Sequence, residues 1–257
     1  METVLSNDGT RIAFEQTGTG STLIMVDPAG SFHGFRPMQD LVPLLASAFT
    51  VVTYDRRGRG ESTDTLPYSV EREVDDLEAL IAALGGSAFL YGFSSGAVLS
   101  PLAAARGLAI NKMVLLEPPL ESYDEPAPKT TLEIEVADLV ARGQRREAYR
   151  HFSIGIGVPP EIIEREHQLL DWPVMEAMAH TIVYDLTIIR SLPTPTLRTI
   201  PTPTLVIASE ATGEPMLTWS KNTADALPNG AYLQLKGDWH SVPFEVLAAR
   251  MIAFFTS

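Results

Sequence analysis

The stretch Ala88-Phe89-Leu90-Tyr91-Gly92-Phe93-Ser94-Ser95-Gly96-Ala97 decides how this chain folds. Ala88 to Tyr91 is a short apolar run of the kind buried in a parallel sheet, and Ala97 to Ala105 reads as a helix. A Gly-x-Ser-x-Gly turn joins them. The pattern alone carries little weight, because roughly 0.1 such matches arise by chance in a chain of this size at average Gly and Ser usage. Its placement carries more. A serine on a tight strand-to-helix turn needs small residues on both sides, since strand and helix close on each other there. Such a turn lifts the Ser94 hydroxyl clear of the sheet edge. It also aims the Ser95 N–H and the helix N-terminus at any negative charge that develops nearby.

Strands and helices alternate outward from this turn. Upstream, Val4 and the run Ile12 to Phe14 flank Ser6-Asn7-Asp8-Gly9, a dense turn signal that predicts a hairpin. Thr22 to Val26 and Thr50 to Tyr54 read as buried strands, and Val70 to Leu84 as an amphipathic helix closed by Gly85-Gly86. Downstream, Lys112 to Leu116 is a further strand. The pattern then changes: Pro118, Pro119, Pro126 and Pro128 fill a loop, and Thr131 to Arg190 reads as several helices with no strand. Alternation resumes with strands at Thr204 to Ala208 and Ala231 to Leu235, and with helices near Met216 to Leu227 and Val242 to Phe255. The expected fold class is α/β, a doubly wound, mostly parallel sheet with a helical cap insertion. The expected core is 1–119 with 197–257, and the expected cap is 120–196.

Composition bounds the function. In 257 residues, hydrophobic types make up 45% and charged types 20%, the usage of an ordinary globular chain. Nineteen Lys and Arg against 32 Asp and Glu give a formal charge of -13, which repels nucleic-acid backbones and anionic lipid surfaces. A small-molecule partner is therefore expected, with no nucleic acid and no membrane; oligomeric state stays open. The absence of cysteine removes disulfides, thiolate metal sites and a Cys nucleophile. No basic segment followed by an apolar run opens the sequence and no 18 apolar residues stand together, so a cytoplasmic location is expected. No H-E-x-x-H occurs, and Glu164, Glu166 and His167 read as a charged helix face, so no metal is expected. Gly18-Thr19-Gly20-Ser21 precedes a strand instead of joining strand to helix, so it is no phosphate loop, and no cofactor is implied.

Tyr54-Asp55-Arg56-Arg57-Gly58-Arg59-Gly60-Glu61-Ser62, taken with Tyr91 to Gly96, resembles the α/β-hydrolase superfamily. That superfamily carries D-x-R-G-x-G-x-S after one strand and the nucleophile elbow after the next. With a late histidine, the resemblance spans the chain and implies Ser94 as nucleophile. Asp55 to Ser62 reads as architectural. The family's histidine follows the last strand, which points to His240 in Gly237-Asp238-Trp239-His240-Ser241 as the base. Of the other four histidines, His151 and His167 lie among charges in the insertion, while His33 and His180 are either pocket or structural residues.

Two departures from the family pattern stand out. The acid is usually found a few residues beyond the seventh strand, and the count falls on Thr212, which cannot be anionic. Glu117, at the end of strand Lys112 to Leu116, is the favoured acid for its stiff mounting; Glu210 and Glu214 in the later loop are the alternatives. The oxyanion donor position after the third strand falls on Pro28 of Val26-Asp27-Pro28-Ala29-Gly30, and proline has no N–H. Either Ala29 supplies the amide beside Ser95, or the site has one backbone donor. Phe32, His33, Phe35, Phe93, Trp172, Met175 and Tyr184, with Met178 and Leu186, are expected to line an apolar pocket over Ser94.

Two readings follow. The favoured one is an esterase-like hydrolase with a Ser-His-acid triad acting on an uncharged or apolar acyl substrate through an acyl-enzyme on Ser94. The other is a non-catalytic binding protein or non-hydrolytic catalyst on the same fold.

Overall fold

The computed structural model describes residues 1–166, 168 and 172–257; His167 of the charged segment noted above lies outside them. Eight strands form one sheet: β1 (Glu2–Leu5), β2 (Arg11–Thr17), β3 (Ser21–Val26), β4 (Phe49–Tyr54), β5 (Ala88–Phe93), β6 (Ile110–Leu116), β7 (Thr204–Ser209) and β8 (Gly230–Leu235). Their order is β1-β2-β4-β3-β5-β6-β7-β8. The β1–β2 and β2–β4 pairings are antiparallel and all later ones are parallel. The hairpin predicted around Asn7-Asp8-Gly9 is therefore present, and the sheet is the mostly parallel one expected.

Period-two alternation divides each central strand between two cores. Leu23 and Met25 face one side with Val51, Tyr91, Val114 and Leu116; Ile24 and Val26 face the other with Val52, Leu90 and Leu115. The first side is covered by α1 (Leu41–Leu45) and by the C-terminal helix, the second by α2 (Val70–Ala83) and α3 (Ser95–Ala105). In α2 the spacing of Val70, Val74, Leu77, Leu80 and Ile81 puts all five on the buried stripe.

Between β6 and β7 stand α4 (Thr131–Ala141), α5 (Arg145–Gly155), α6 (Pro160–Glu166), α7 (Trp172–Ala177), α8 (Thr181–Ile189) and α9 (Thr194–Leu197). Helices α4, α5, α7 and α8 share a third apolar cluster, in which Val136, Phe152, Trp172, Met175 and Ile182 pack with Phe32. Helix α8 packs directly on α3, the helix that begins beside Ser94. After β7 come α10 (Met216–Ala226) and, after β8, α11 (Phe244–Thr256).

Boundaries differ from the sequence reading where proline or the sheet intervenes. β5 runs on to Phe93, because Gly92 and Phe93 still pair with Leu115 and Leu116. Helix α11 starts at Phe244, since Pro243 sets the extended backbone that precedes it. Helix α1 has five residues, too few to show a helical period in sequence.

Asp55 to Ser62 is tied down from several sides. Arg57 makes a two-pronged bond to Asp76 at 2.8 and 2.7 Å. The Asp55 carboxylate accepts the His33 N–H at 2.7 Å and the Glu61 N–H at 2.9 Å. Among the described residues no helix is long and apolar enough to cross a membrane.

Candidate active site

Ser94 sits between β5 and α3 with φ 52° and ψ -119°, a conformation that L-residues rarely adopt. The turn survives because its neighbours are small. A Cβ on Gly96 would stand 2.0 Å from the Val26 carbonyl oxygen, and one on Gly92 would stand 2.5 Å from that of Gly96. The Ser94 N–H donates to Leu116 O at 3.0 Å, anchoring the turn to the end of β6.

The next residue along β6 is Glu117, also left-handed at φ 48°, with its N–H on Ile207 O at 2.9 Å. Its side chain is fully buried and crosses the end of β7. Oε1 accepts the Ser209 N–H at 2.7 Å; Oε2 accepts the Thr212 hydroxyl at 3.0 Å and is also bonded to Nδ1 of His240. The Ser209 N–H and the Thr212 hydroxyl thus donate to a fully buried carboxyl group that also meets the imidazole. His240, at φ 53°, follows β8 in a tight loop pinned to β7 by the Ser209 hydroxyl, which donates to Asp238 O at 2.7 Å. Phe93 lies against the imidazole with ring centres 4.6 Å apart. Among the described residues, Ser94, Glu117 and His240 are the three non-glycine residues with positive φ.

The structure therefore bonds Glu117 to His240; of the two alternative acids Glu214 lines the cavity over the site, and neither is hydrogen-bonded to His240 among the described residues. Glu214 is exposed and accepts the Thr218 N–H at 3.2 Å. Glu210 is exposed on the same loop. Thr212, where the family count places the acid, hydrogen-bonds the acid carried by the neighbouring strand.

A cavity of about 610 Å³ opens over these groups. Its lining includes Ser94, Ser95, Ala29, Thr212 and His240, the charged Glu121, Arg190 and Glu214, and the apolar Leu132, Phe152, Leu186, Ile189, Trp219 and Trp239. The Ala29 and Ser95 N–H groups both face no protein acceptor among the described residues.

Most of the expected pocket residues lie elsewhere; Phe32, His33, Phe35, Phe93, Trp172, Met175 and Tyr184 do not line this cavity. Phe32, Trp172 and Met175 are buried in the third apolar cluster, with Phe35 against it. Phe93 belongs to the sheet core. Tyr184 stacks on Tyr68 with ring centres 3.7 Å apart and donates to Asp64 at 2.8 Å. His33 bonds Asp55 at 2.8 Å. Met178 accepts the Gly60 N–H on its sulfur, and of the group only Leu186 reaches the cavity. Large apolar side chains between layers fill the interface first, and a sequence does not show which face of a helix the neighbouring layer covers. The two other described histidines are engaged apart from the cavity: His180 lies 3.4 Å from Asp64 and His151 bonds Glu135 at 2.7 Å. Among the described residues no group of three or more His, Cys, Asp or Glu could hold a metal.

Among the buried acids the sequence reading did not single out, Asp185 of α8 lies beside the serine turn. It accepts from the Ser95 hydroxyl and from Arg56, both at 2.7 Å, and from Arg59 at 2.6 Å. A lone Asp in the apolar run Thr181–Ile189 was the available signal.

A strained serine between strand and helix, with a histidine and a carboxylate brought to the same end of an eight-stranded sheet, defines the α/β-hydrolase architecture. Residues 24–250 match the model of the alpha/beta hydrolase family, and the chain belongs to that family. It is similar to an alpha/beta hydrolase from Sphaerobacter thermophilus DSM 20745, at 41% identity and TM-score 0.89, over 99% of this chain and 100% of that one. It is 26% identical to the putative non-heme bromoperoxidase BpoC of Mycobacterium tuberculosis, over 96% of this chain and 98% of that protein. A shorter match, 34% identical over 99 residues, is to the uncharacterized hydrolase YraK of Bacillus subtilis, and it spans 35% of this chain and about a third of that protein (34%).

Proposed function

We propose that this protein is a serine hydrolase that cleaves an uncharged or apolar acyl substrate, a carboxylic ester or a related bond, through an acyl-enzyme on Ser94. The observation that carries the reading is that Ser94 and His240, both at positive φ, line one cavity with Ala29 and Ser95, whose N–H groups face no protein acceptor among the described residues, while Glu117 is bonded to Nδ1 of His240. Strained backbone persists where surrounding structure enforces it, and such positions concentrate at catalytic groups.

In this scheme His240 holds a proton on Nδ1, donated to Glu117, which leaves Nε2 as the base. Nε2 takes the Ser94 proton as Oγ attacks the substrate carbonyl carbon. The carbonyl electron pair moves onto oxygen, where the Ser95 and Ala29 N–H groups stabilise it. The carbonyl re-forms, the bond to the leaving group breaks, and the imidazolium passes its proton to that group. Water then repeats the sequence on the acyl-enzyme and restores Ser94. Residues 120–196 act as a cap over the core of 1–119 and 197–257, and Leu132, Phe152, Leu186 and Ile189 supply its apolar contact with the acyl chain. The apolar part of the lining supports an uncharged acyl group, with Glu121, Arg190 and Glu214 on the same cavity's remaining surface.

A fluorophosphonate probe with p-nitrophenyl esters of increasing acyl length tests the reading. The expected result is stoichiometric modification at Ser94 and hydrolysis of short to medium esters. A folded protein that neither labels nor hydrolyses would favour a ligand-binding protein on the same fold.

A further inference from the structure

We propose that Asp185, carried by α8 of the insertion, is a positioning residue for the oxyanion site, acting through Arg59, Arg56 and Ser95 on the N–H groups of Ala29 and Ser95. The proposal rests on the reading of Ser94 as nucleophile.

The geometry is that of a single buried hub. Asp185, Arg56 and Arg59 are all buried, and each oxygen of Asp185 is engaged: Oδ1 by the Ser95 hydroxyl and Arg56 Nη1, Oδ2 by Arg59 Nη2. Each arginine then reaches the segment after β3. Arg59 Nη1 donates to Pro28 O at 3.0 Å, and Arg56 Nη1 to Asp27 O at 3.3 Å. Glu73 takes the remaining edge of Arg56 at 2.8 and 2.9 Å, so two carboxylates balance two guanidiniums.

The consequence lies in the peptide linking Pro28 to Ala29. In a trans peptide the C=O and N–H point in opposite directions. A guanidinium fixed on the Pro28 carbonyl therefore turns the Ala29 N–H away from the buried hub, and Ala29 lines the cavity with Ser94 and Ser95. Donation by a cation also polarises that peptide and strengthens its N–H as a donor. The Ser95 side chain is held to the same carboxylate, which sets the first turn of α3 and the direction of its N–H. One carboxylate thus sets both donors relative to each other. Arg56 and Arg59 occupy variable positions of the D-x-R-G-x-G-x-S pattern, whereas its arginine, Arg57, is spent on Asp76 and Asp8. Burial works against the Asp185 charge, yet Arg59 and Arg56 hold the carboxyl below the ordinary range, so it stays an acceptor.

The test compares wild type, Asp185→Asn and Ser95→Ala in p-nitrophenyl acetate hydrolysis and in inhibition by phenylboronic acid, whose tetrahedral adduct places an oxygen in the oxyanion site. Asp185→Asn is expected to lower kcat about 10- to 100-fold and weaken boronate inhibition by a similar factor, with KM within about threefold. Ser95→Ala keeps the amide and deletes only the hydroxyl; it is expected to move both readouts the same way by about 3- to 10-fold, and it decides the matter if Asp185→Asn does not fold. Variants with lowered Tm but wild-type kcat and boronate inhibition would overturn the proposal, leaving the hub as a docking contact. Wild type that is not labelled by fluorophosphonate at Ser94 would remove the nucleophile reading and this proposal with it.

Discussion

Thr212 Oγ1 donates a 3.0 Å hydrogen bond to Glu117 Oε2, the same carboxylate oxygen that is bonded to Nδ1 of His240. The loop after β7 therefore meets the imidazole through a carboxylate mounted on β6. Moving the acid one strand along keeps the direction of approach to His240, because β6 and β7 are parallel neighbours in register, Leu116 beside Ile207.

The exchange can be reversed by mutation. Glu117→Gln is expected to lower kcat toward esters by about 10³- to 10⁴-fold, since an amide neither fixes the histidine tautomer nor supports imidazolium. Thr212→Val should cost only a few-fold, by removing one donor to the carboxylate. Glu117→Gln combined with Thr212→Asp should recover part of the loss. Glu210→Gln or Glu214→Gln as damaging as Glu117→Gln would move the acid to the loop after β7.

Ser94 holds a strained backbone conformation that stability does not need. A non-glycine residue at φ 52° and ψ -119° costs about 1–3 kcal/mol, offset in a glycine variant by about 1 kcal/mol of added chain entropy. Ser94→Gly is thus expected to be inactive yet more stable by about 1 kcal/mol, and Ser94→Ala inactive at near wild-type stability. Denaturant melts measure the difference. A Ser94→Ala variant that still turns over substrate would end the covalent mechanism.

Pro28→Gly separates two ways of building the oxyanion site. If the Arg59 bond to the Pro28 carbonyl sets the Ala29 N–H as proposed, the substitution should leave kcat unchanged or lower it by loosening the turn. A rise in kcat toward small activated esters would show that position 28 withholds a donor the site lacks.

The hairpin turn has a pH signature of its own. Burial pushes the Asp8 carboxyl up, but hydrogen bonds from Thr10 and Arg57 and the charge of Arg57 outweigh it, and the group is held down at about 2 against an ordinary 3.8. A depressed value in the folded state means stability that is present above pH 3.8 and lost as pH falls through about 2. Acid unfolding should therefore be shallower between about pH 4 and 2 in Asp8→Asn than in wild type. Equal slopes would assign the acid sensitivity to other carboxylates.

Much of this protein was legible in its sequence because much of it is local. The parallel sheet follows from short apolar runs ended by turn residues, and the serine turn from glycines placed where strand and helix close to within a carbonyl's reach. His240 was placed by the resemblance to α/β-hydrolases, which carry their histidine after the last strand. Glu117 emerged as the favoured acid through a strand end that fixes its Cα.

Other features depend on contacts between residues far apart in the chain. The bond from Glu117 to His240 needs β6, β7 and the loop after β8 side by side, with Ser209 and Thr212 supplying the other donors. The aromatic residues expected over Ser94 turned instead into the insertion's core and the sheet, since a helical period shows that a face is apolar but not which neighbour covers it. Asp185 is the extreme case: one acid in an apolar helix, 90 and 126 residues from the Ser95 and Arg59 it binds. Sequence determined which backbone segments form and where a nucleophile can stand, because those are short-range sterics and periodicity. Tertiary structure alone decided which charges meet, because a buried charge takes its meaning from partners that only folding brings within hydrogen-bond distance.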